Sequence, residues 1–417
     1  MICCSLLGIF PWQFIFTENP IFQKAYKYYS NVTLSYLALF IFGAYVELLF
    51  LFHEETLRID EIMRNLCVTL LCTVTIIRVV IMRVKPHFRN IIQEIIDKEH
   101  EIFTSSNDET ILDIYRGVAA NTARNIKFLY VQVVIMCLMH HLRPFFVVDI
   151  VKRGNETVAL WTFPVSVALP FDVQRNFWGA FCFSSSMALN GASFLTYIDA
   201  LIFSLIAYAV GQLKILHYIL INFDEFKGKF GPEMGNFLDD ELLSVLTFKK
   251  CINMHRVIIK YIDNFNAGMS VFMVFDFLQT SLQLASIMSE FILMDLTVMT
   301  VCYAVSFLIS STYRLYMFYY FANEIMYLNE TLPLSLWQSK WYQQPKRVKY
   351  MMQIFILKCR TPLVLTIGSF GKMTLSTFLS VRLSQIKTSI FYPLIFRYFR
   401  PAIHTSPSST PRSTNNQ

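Results

Sequence analysis

Charge is scarce in this chain. Asp, Glu, Lys and Arg make up 16% of its 417 residues, where soluble domains carry about a quarter. With 55% hydrophobic residues and a mean hydropathy of +0.45, a soluble globular protein is excluded. The net charge of +7 is small and spread over several loops; it excludes a nucleic-acid partner and reads as loop bias at a membrane. Enzyme signatures are missing too, with no Gly-rich phosphate loop, no HExxH and no Ser nucleophile elbow. The nine cysteines form no CxxC pair, which argues against structural zinc. Cys182 alone falls in a long outside loop, so no disulfide is expected. His140-His141 is the only adjacent His pair and reads as a polar patch at the outer interface rather than a metal site. Neither a cofactor nor a metal is expected. Met1 to Phe10 is apolar but lacks a basic n-region and a small-residue cleavage site. Targeting then falls to the first span, with Pro11, Trp12 and Phe14 at the inner interface or in a disordered terminus.

What the chain has is apolar length and aromatics. Phe and Tyr number 39 and 21, which suits helices in lipid with aromatic belts. A span needs about 20 mostly apolar residues. Seven are read: about 33–52, 66–82, 126–142, 186–211, 267–292, 297–320, and one starting near Met373. Glu47, Arg78 and Asp199 stand inside these runs and are costly in lipid. Arg78, near the inner end of its span, is expected to snorkel; Asp199 is expected to bond within the bundle and fix span four.

Lys and Arg crowd alternate connections: Arg83 to Arg124, Lys214 to Lys260, and Lys340 to Arg360. The other connections hold few, so the basic ones face the cytoplasm and the N-terminus lies inside. Seven spans then put the C-terminus outside, the reverse of a G-protein-coupled receptor. The sequon at Asn155 falls in an outside loop and is a candidate glycosylation site; those at Asn31 and Asn329 fall inside and are unused.

The inside segments are more than linkers. Ile91, Ile92, Ile95 and Ile96, then Leu242, Leu243, Val245 and Leu246, recur at helical spacing and predict packed helical extensions. Phe230-Gly231-Pro232 is expected to break one of them. The division is thus an inner segment over 1–32, and a seven-helix domain over 33–392 with extensions at about 84–125, 212–266 and 321–365. A polar tail over 393–417 is expected to be disordered.

Two regions carry a resemblance. One runs from Tyr197-Ile-Asp199-Ala-Leu201 to Gly211-Gln-Leu213. The other runs from Asn323-Glu324 through Leu336-Trp337 and Lys340-Trp341-Tyr342 to Cys359-Arg-Thr-Pro-Leu-Val-Leu-Thr366, Gly368, Phe370 and Leu375-Ser-Thr-Phe-Leu-Ser380. They resemble the insect odorant receptor family, in motif over roughly the last hundred residues and in span count, orientation and length over the whole chain. A gustatory receptor is the alternative from the same superfamily, but its TYxxxxxQF-type run is absent. No DRY triplet, NPxxY run or internal repeat favours a G-protein-coupled receptor or a transporter.

The resemblance implies an all-α, seven-transmembrane, non-enzymatic channel subunit at the plasma membrane of a sensory neuron. It implies a variable, odorant-tuned subunit in a heterotetramer with a shared co-receptor, an anchor domain below the membrane, and a pore from span seven. Trp337, Trp341, Tyr342, Pro362 and Leu363 are candidate anchor contacts, and Ser376, Phe378, Thr388 and Phe391 candidate pore residues. The ligand is a volatile small molecule in the outer half of the bundle. About ten heavy atoms gain several kcal/mol by burial, so micromolar affinity is expected. Candidate contacts are Thr69, Thr73, Met136, His140, Met187, Asn190, Phe194, Tyr303 and Phe307; for each, helix packing is the plainer alternative.

The end departs from the family. Arg382, Gln385 and Lys387 fall inside the expected pore helix, and Pro393 would break it. Like charge repels cations, so a ring of Arg or Lys is odd on a cation path. Two readings stay open: an error at the last exon junction, which the unspan-like residues after Ser380 favour, or an altered pore helix.

Overall fold

The computed structural model describes residues 7–11, 14–15, 19–53, 59–105, 108–146, 148–153, 156–169, 171, 173–234, 239–293, 298–368, 371–385 and 387. Its helices are α1 (Pro20–His53), α2 (Ile59–Val84), α3 (Pro86–Ser105), α4 (Glu109–Leu142), α5 (Phe177–Ile221), α6 (Phe223–Met234), α7 (Asp240–Leu293), α8 (Val298–Gln338), α9 (Lys346–Cys359) and α10 (375–385). Two small antiparallel hairpins interrupt them: β1 (Val148–Arg153) with β2 (Glu156–Trp161), and β3 (Thr366–Ile367) with β4 (Gly371–Lys372). The first replaces what the sequence reads as plain loop. Asn155 lies outside the described residues.

Helix starts follow capping chemistry. The Asp108 carboxylate accepts the Thr110 N–H at 3.0 Å before α4, and the Asn176 side chain accepts from Gly179 at 3.3 Å before α5. α5 begins at Phe177, so Cys182 sits on a helix and not in a loop as read from sequence. The expected break at Gly231-Pro232 is also absent: α6 runs through it to Met234. Pro232 removes one backbone donor, and so close to the helix end little is left to lose.

α5 is the hub. Its buried residues are nearly continuous from Ile198 to Leu216, against α4, α7 and α8. α4 is the opposite case. Only Thr122 and Leu129 are buried, while Phe128, Val131, Ile135 and Leu138 are exposed. Exposed apolar residues on a long helix fit contact with acyl chains, where every backbone bond is already made within the helix. Among the described residues four helices (α1, α2, α4 and α5) are long and apolar enough to cross a membrane. α7 makes a fifth if its two pieces, bent by 55°, form one span.

At one end α3, α6, α9 and the ends of α5, α7 and α8 pack together. Ile91, Ile92 and Ile95 of α3 are buried, as the spacing predicts, and Ile96 is half-buried; in α7 only Val245 of its four counterparts is buried. Two asparagines fasten the segment after α9. Asn329 donates to the carbonyls of Cys359 at 3.2 Å and Thr361 at 3.1 Å, and faces His255 at 2.9 Å. Asn266 donates to the Val364 carbonyl at 2.9 Å and accepts the Thr366 N–H at 3.1 Å. Gly368, at φ +52°, turns that segment back into β4 in a conformation that glycine adopts without strain.

Candidate ligand cavity and its charged floor

Four helices each bring one charged side chain to the middle of the bundle. Arg78 of α2 and Arg314 of α8 both bind both Asp199 of α5 and Asp276 of α7. Arg78 Nη1 reaches Asp199 Oδ1 at 2.7 Å; Arg314 Nη2 reaches Asp276 at 2.9 Å and the Thr280 hydroxyl at 3.2 Å. The quartet is electrically neutral and buried. Arg78 therefore does not snorkel; it is fully buried. Two carboxylates at its own depth satisfy its guanidinium, so it has no reason to reach for the interface. Asp199 bonds within the bundle, as expected.

Above the quartet, toward the β1–β2 end, lies a cavity of about 90 Å³ between α2, α4, α5, α7 and α8. Asp199 and Arg314 form part of its floor, and Leu129, Val133, Leu195 and Phe40 part of its apolar wall. A second space of about 40 Å³ adjoins it, sharing Val68, His140, Val165, Gln283, Tyr303 and Phe307. The connector after β2 closes the top. Val165 and Val167 are buried, the Val165 N–H donates to Ser184 Oγ at 2.9 Å, and Asn65 donates to the Ser166 carbonyl at 2.7 Å. A larger groove of about 350 Å³ lies at the other end, beside the Lys214–Glu324 pair. It is shallower and more open, and burial is what binds an apolar molecule, so the smaller cavity is the better candidate.

Of the nine residues that sequence reading put forward, the structure brings Met136, His140, Tyr303 and Phe307 to the cavity wall. The His140 and Tyr303 rings stack at 5.2 Å. The other five lie elsewhere. Thr69 bonds Asn65 at 3.0 Å and Thr73 bonds the Thr69 carbonyl at 2.7 Å, so both hydroxyls serve helix packing. Met187 and Phe194 are buried in the core, and Asn190 does not line the cavity. Asp276, Arg314, Gln283 and Ser310 escaped notice. Asp276 and Arg314 had a signal: they are charges inside apolar runs, and with Arg78 and Asp199 they sum to zero.

Elsewhere, Trp337 and Tyr342 are exposed, as is Pro362; Trp341 is half-buried, 4.8 Å from the Trp337 ring, and Leu363 is buried in the core. On α10, Ser376 is exposed, while Phe378 packs on Tyr316 and Tyr319 at 6.0 and 5.6 Å. The helix runs on past Ser380. Arg382 is buried there, donating to the Ser311 carbonyl at 3.2 Å, and Gln385 donates to Ser281. Arg382 thus points into its own bundle and not outward, as a ring around a pore would require. Thr388, Phe391 and the polar tail lie outside the described residues. Among the described residues no group of three His, Cys, Asp or Glu gathers as metal ligands.

Comparison with known proteins gives a consistent picture. The fold superposes on two solved structures of the insect olfactory receptor OR5 from Machilis hrabei. The one in complex with eugenol matches with a TM-score of 0.73 over 95% of this chain and 96% of that one, at 15% identity. The other matches with a TM-score of 0.72 over 93% and 95%, also at 15% identity. The likeness establishes an all-α membrane fold. Odorant receptor 10 from Aedes albopictus is 25% identical over 175 residues, 42% of this chain; the chain spans 44% of that relative's length. The profile of the 7tm odorant receptor family matches residues 58–383, and the chain belongs to that family.

Proposed function

We propose that the chain is the variable, ligand-binding subunit of an odorant-gated cation channel at the plasma membrane, assembled with a shared co-receptor and carrying its N-terminus inside. The observation that carries the reading is the largely apolar cavity, with Met136, His140, Tyr303 and Phe307 on its wall. A volatile molecule with few polar atoms gains affinity by leaving water, and such a cavity supplies that. Family membership and a fold shared with an olfactory receptor solved with eugenol support it.

Ligand arrival is read by α10. Its Arg382 holds the carbonyl of Ser311, a cavity-wall residue, so displacement of that wall pulls on the helix expected to line the pore. Assembly uses the apolar face left exposed by Trp337, Tyr342, Tyr350, Ile354 and Leu357 at the extension end, since such a face in water calls for a partner.

Recordings from cells expressing the chain with and without a co-receptor test this. A volatile-evoked, non-selective cation current is expected only from the pair. End tags probed without permeabilisation should reveal the C-terminus alone. Current failure, or an exposed N-terminus, refutes the reading.

A further inference from the structure

Three polar side chains of the cavity wall lack a mate. Gln283 is 4% exposed and Ser310 5%, yet among the described residues neither side chain makes a hydrogen bond, and both line the cavity wall. His140 lines it as well, and its Nδ1 is buried without a partner.

A hydrocarbon that fills this space excludes water and leaves all three groups unpaired, at the cost attached to buried, unmatched polar atoms. A hydroxyl removes that cost on both sides. It donates and accepts at once, so it can match His140, Gln283 and Ser310 whichever role each of their polar atoms takes. An aldehyde or ketone only accepts, and leaves the acceptor atoms of this set unmatched. A charged molecule gains nothing from a floor whose two Arg and two Asp already cancel, and it would have to shed its hydration.

We propose that His140, Gln283 and Ser310 make this cavity selective for small neutral hydroxyl compounds, alcohols or phenols, over hydrocarbons and carboxylates of the same shape. The assignment rests on the cavity being the odorant site.

The test uses the full-length chain expressed with a co-receptor, and two matched probe series: benzyl alcohol, benzaldehyde, toluene and benzoate; then hexanol, hexanal, hexane and hexanoate. Half-maximal response is read at measured aqueous concentration. Each alcohol is expected to act at a concentration about tenfold or more below its hydrocarbon, with the aldehyde between them and the carboxylate inactive. Gln283→Leu and Ser310→Ala should bring the alcohol-to-hydrocarbon ratio toward one. His140→Phe should narrow the gap between alcohol and hydrocarbon. Equal potency of alcohol and hydrocarbon in the unaltered receptor, or variants that keep the ratio, overturns the selectivity while the odorant reading stands. If no probe in either series evokes a current or raises the thermal midpoint of the purified complex, both fall.

Discussion

Arg78 Nη1 donates to Asp199 Oδ1 at 2.7 Å, with both side chains sealed from solvent. The pair joins α2 to α5, and through Asp276 and Arg314 the same network joins α7 and α8. Removing one member strands a charge at membrane depth. Asp199→Leu should lower stability by about 3–5 kcal/mol, the usual scale for breaking a buried ion pair from one side. Arg78→Met and Asp276→Asn should each be severe, and the double variant milder than their sum, because it leaves the neutral Arg314–Asp199 pair. Thermal midpoints of the detergent-solubilised protein decide it; additive losses would mean the four charges do not act as one unit.

Arg382 should matter for gating rather than for binding. Its guanidinium holds the Ser311 carbonyl, and Gln385 holds Ser281, so α10 is tied to both α8 and α7. Arg382→Met should cut the maximal evoked current several-fold with surface abundance and half-maximal concentration unchanged. A shift in half-maximal concentration with full current would place Arg382 in ligand binding instead.

The extension end should weaken in acid. Burial lowers the His255 pKa below its ordinary value, the Asn329 bond opposes that, and Lys358 nearby lowers it further. Burial lowers His217 likewise, against the Leu328 carbonyl bond. Both imidazoles are therefore neutral in the fold. The unfolded chain takes up protons first, so stability is complete above about pH 6.5 and is lost as pH falls from there through the folded pKa. The thermal midpoint should drop between about pH 7.5 and 5.5, and His255→Gln should flatten the drop. An equal drop in that variant would assign the pH dependence to other groups.

Much of this was legible in the sequence, and the reasons are physical. Apolar run length marks α1, α2, α4 and α5 as long enough to cross a membrane, because lipid punishes polar exceptions. Ile91, Ile92 and Ile95 mark a packed extension because their spacing matches one helix face. Asp199 was readable as a bundle residue, since an acid at membrane depth needs a partner. Its partners were harder, because pairing across α2, α5, α7 and α8 is a property of the folded bundle. Asn329 shows the same limit: as a sequon it looked idle, and its three contacts exist only once α7, α8 and the segment after α9 meet. Thr73 and Tyr303 were both candidates from sequence. Only rotation about the helix axis turns Tyr303 into the cavity and Thr73 toward Tyr45.

The account stands on the cavity between α2, α4, α5, α7 and α8 being where the volatile acts. Ala192 lines it, and Ala192→Phe fills a space of about 90 Å³ with a ring while leaving the quartet and α10 untouched. The concentration-response curve of this variant, co-expressed with a co-receptor and normalised to surface-labelled protein, is the most direct measurement. The account predicts normal surface abundance and a lost or strongly right-shifted response. An unchanged curve at equal abundance would contradict it.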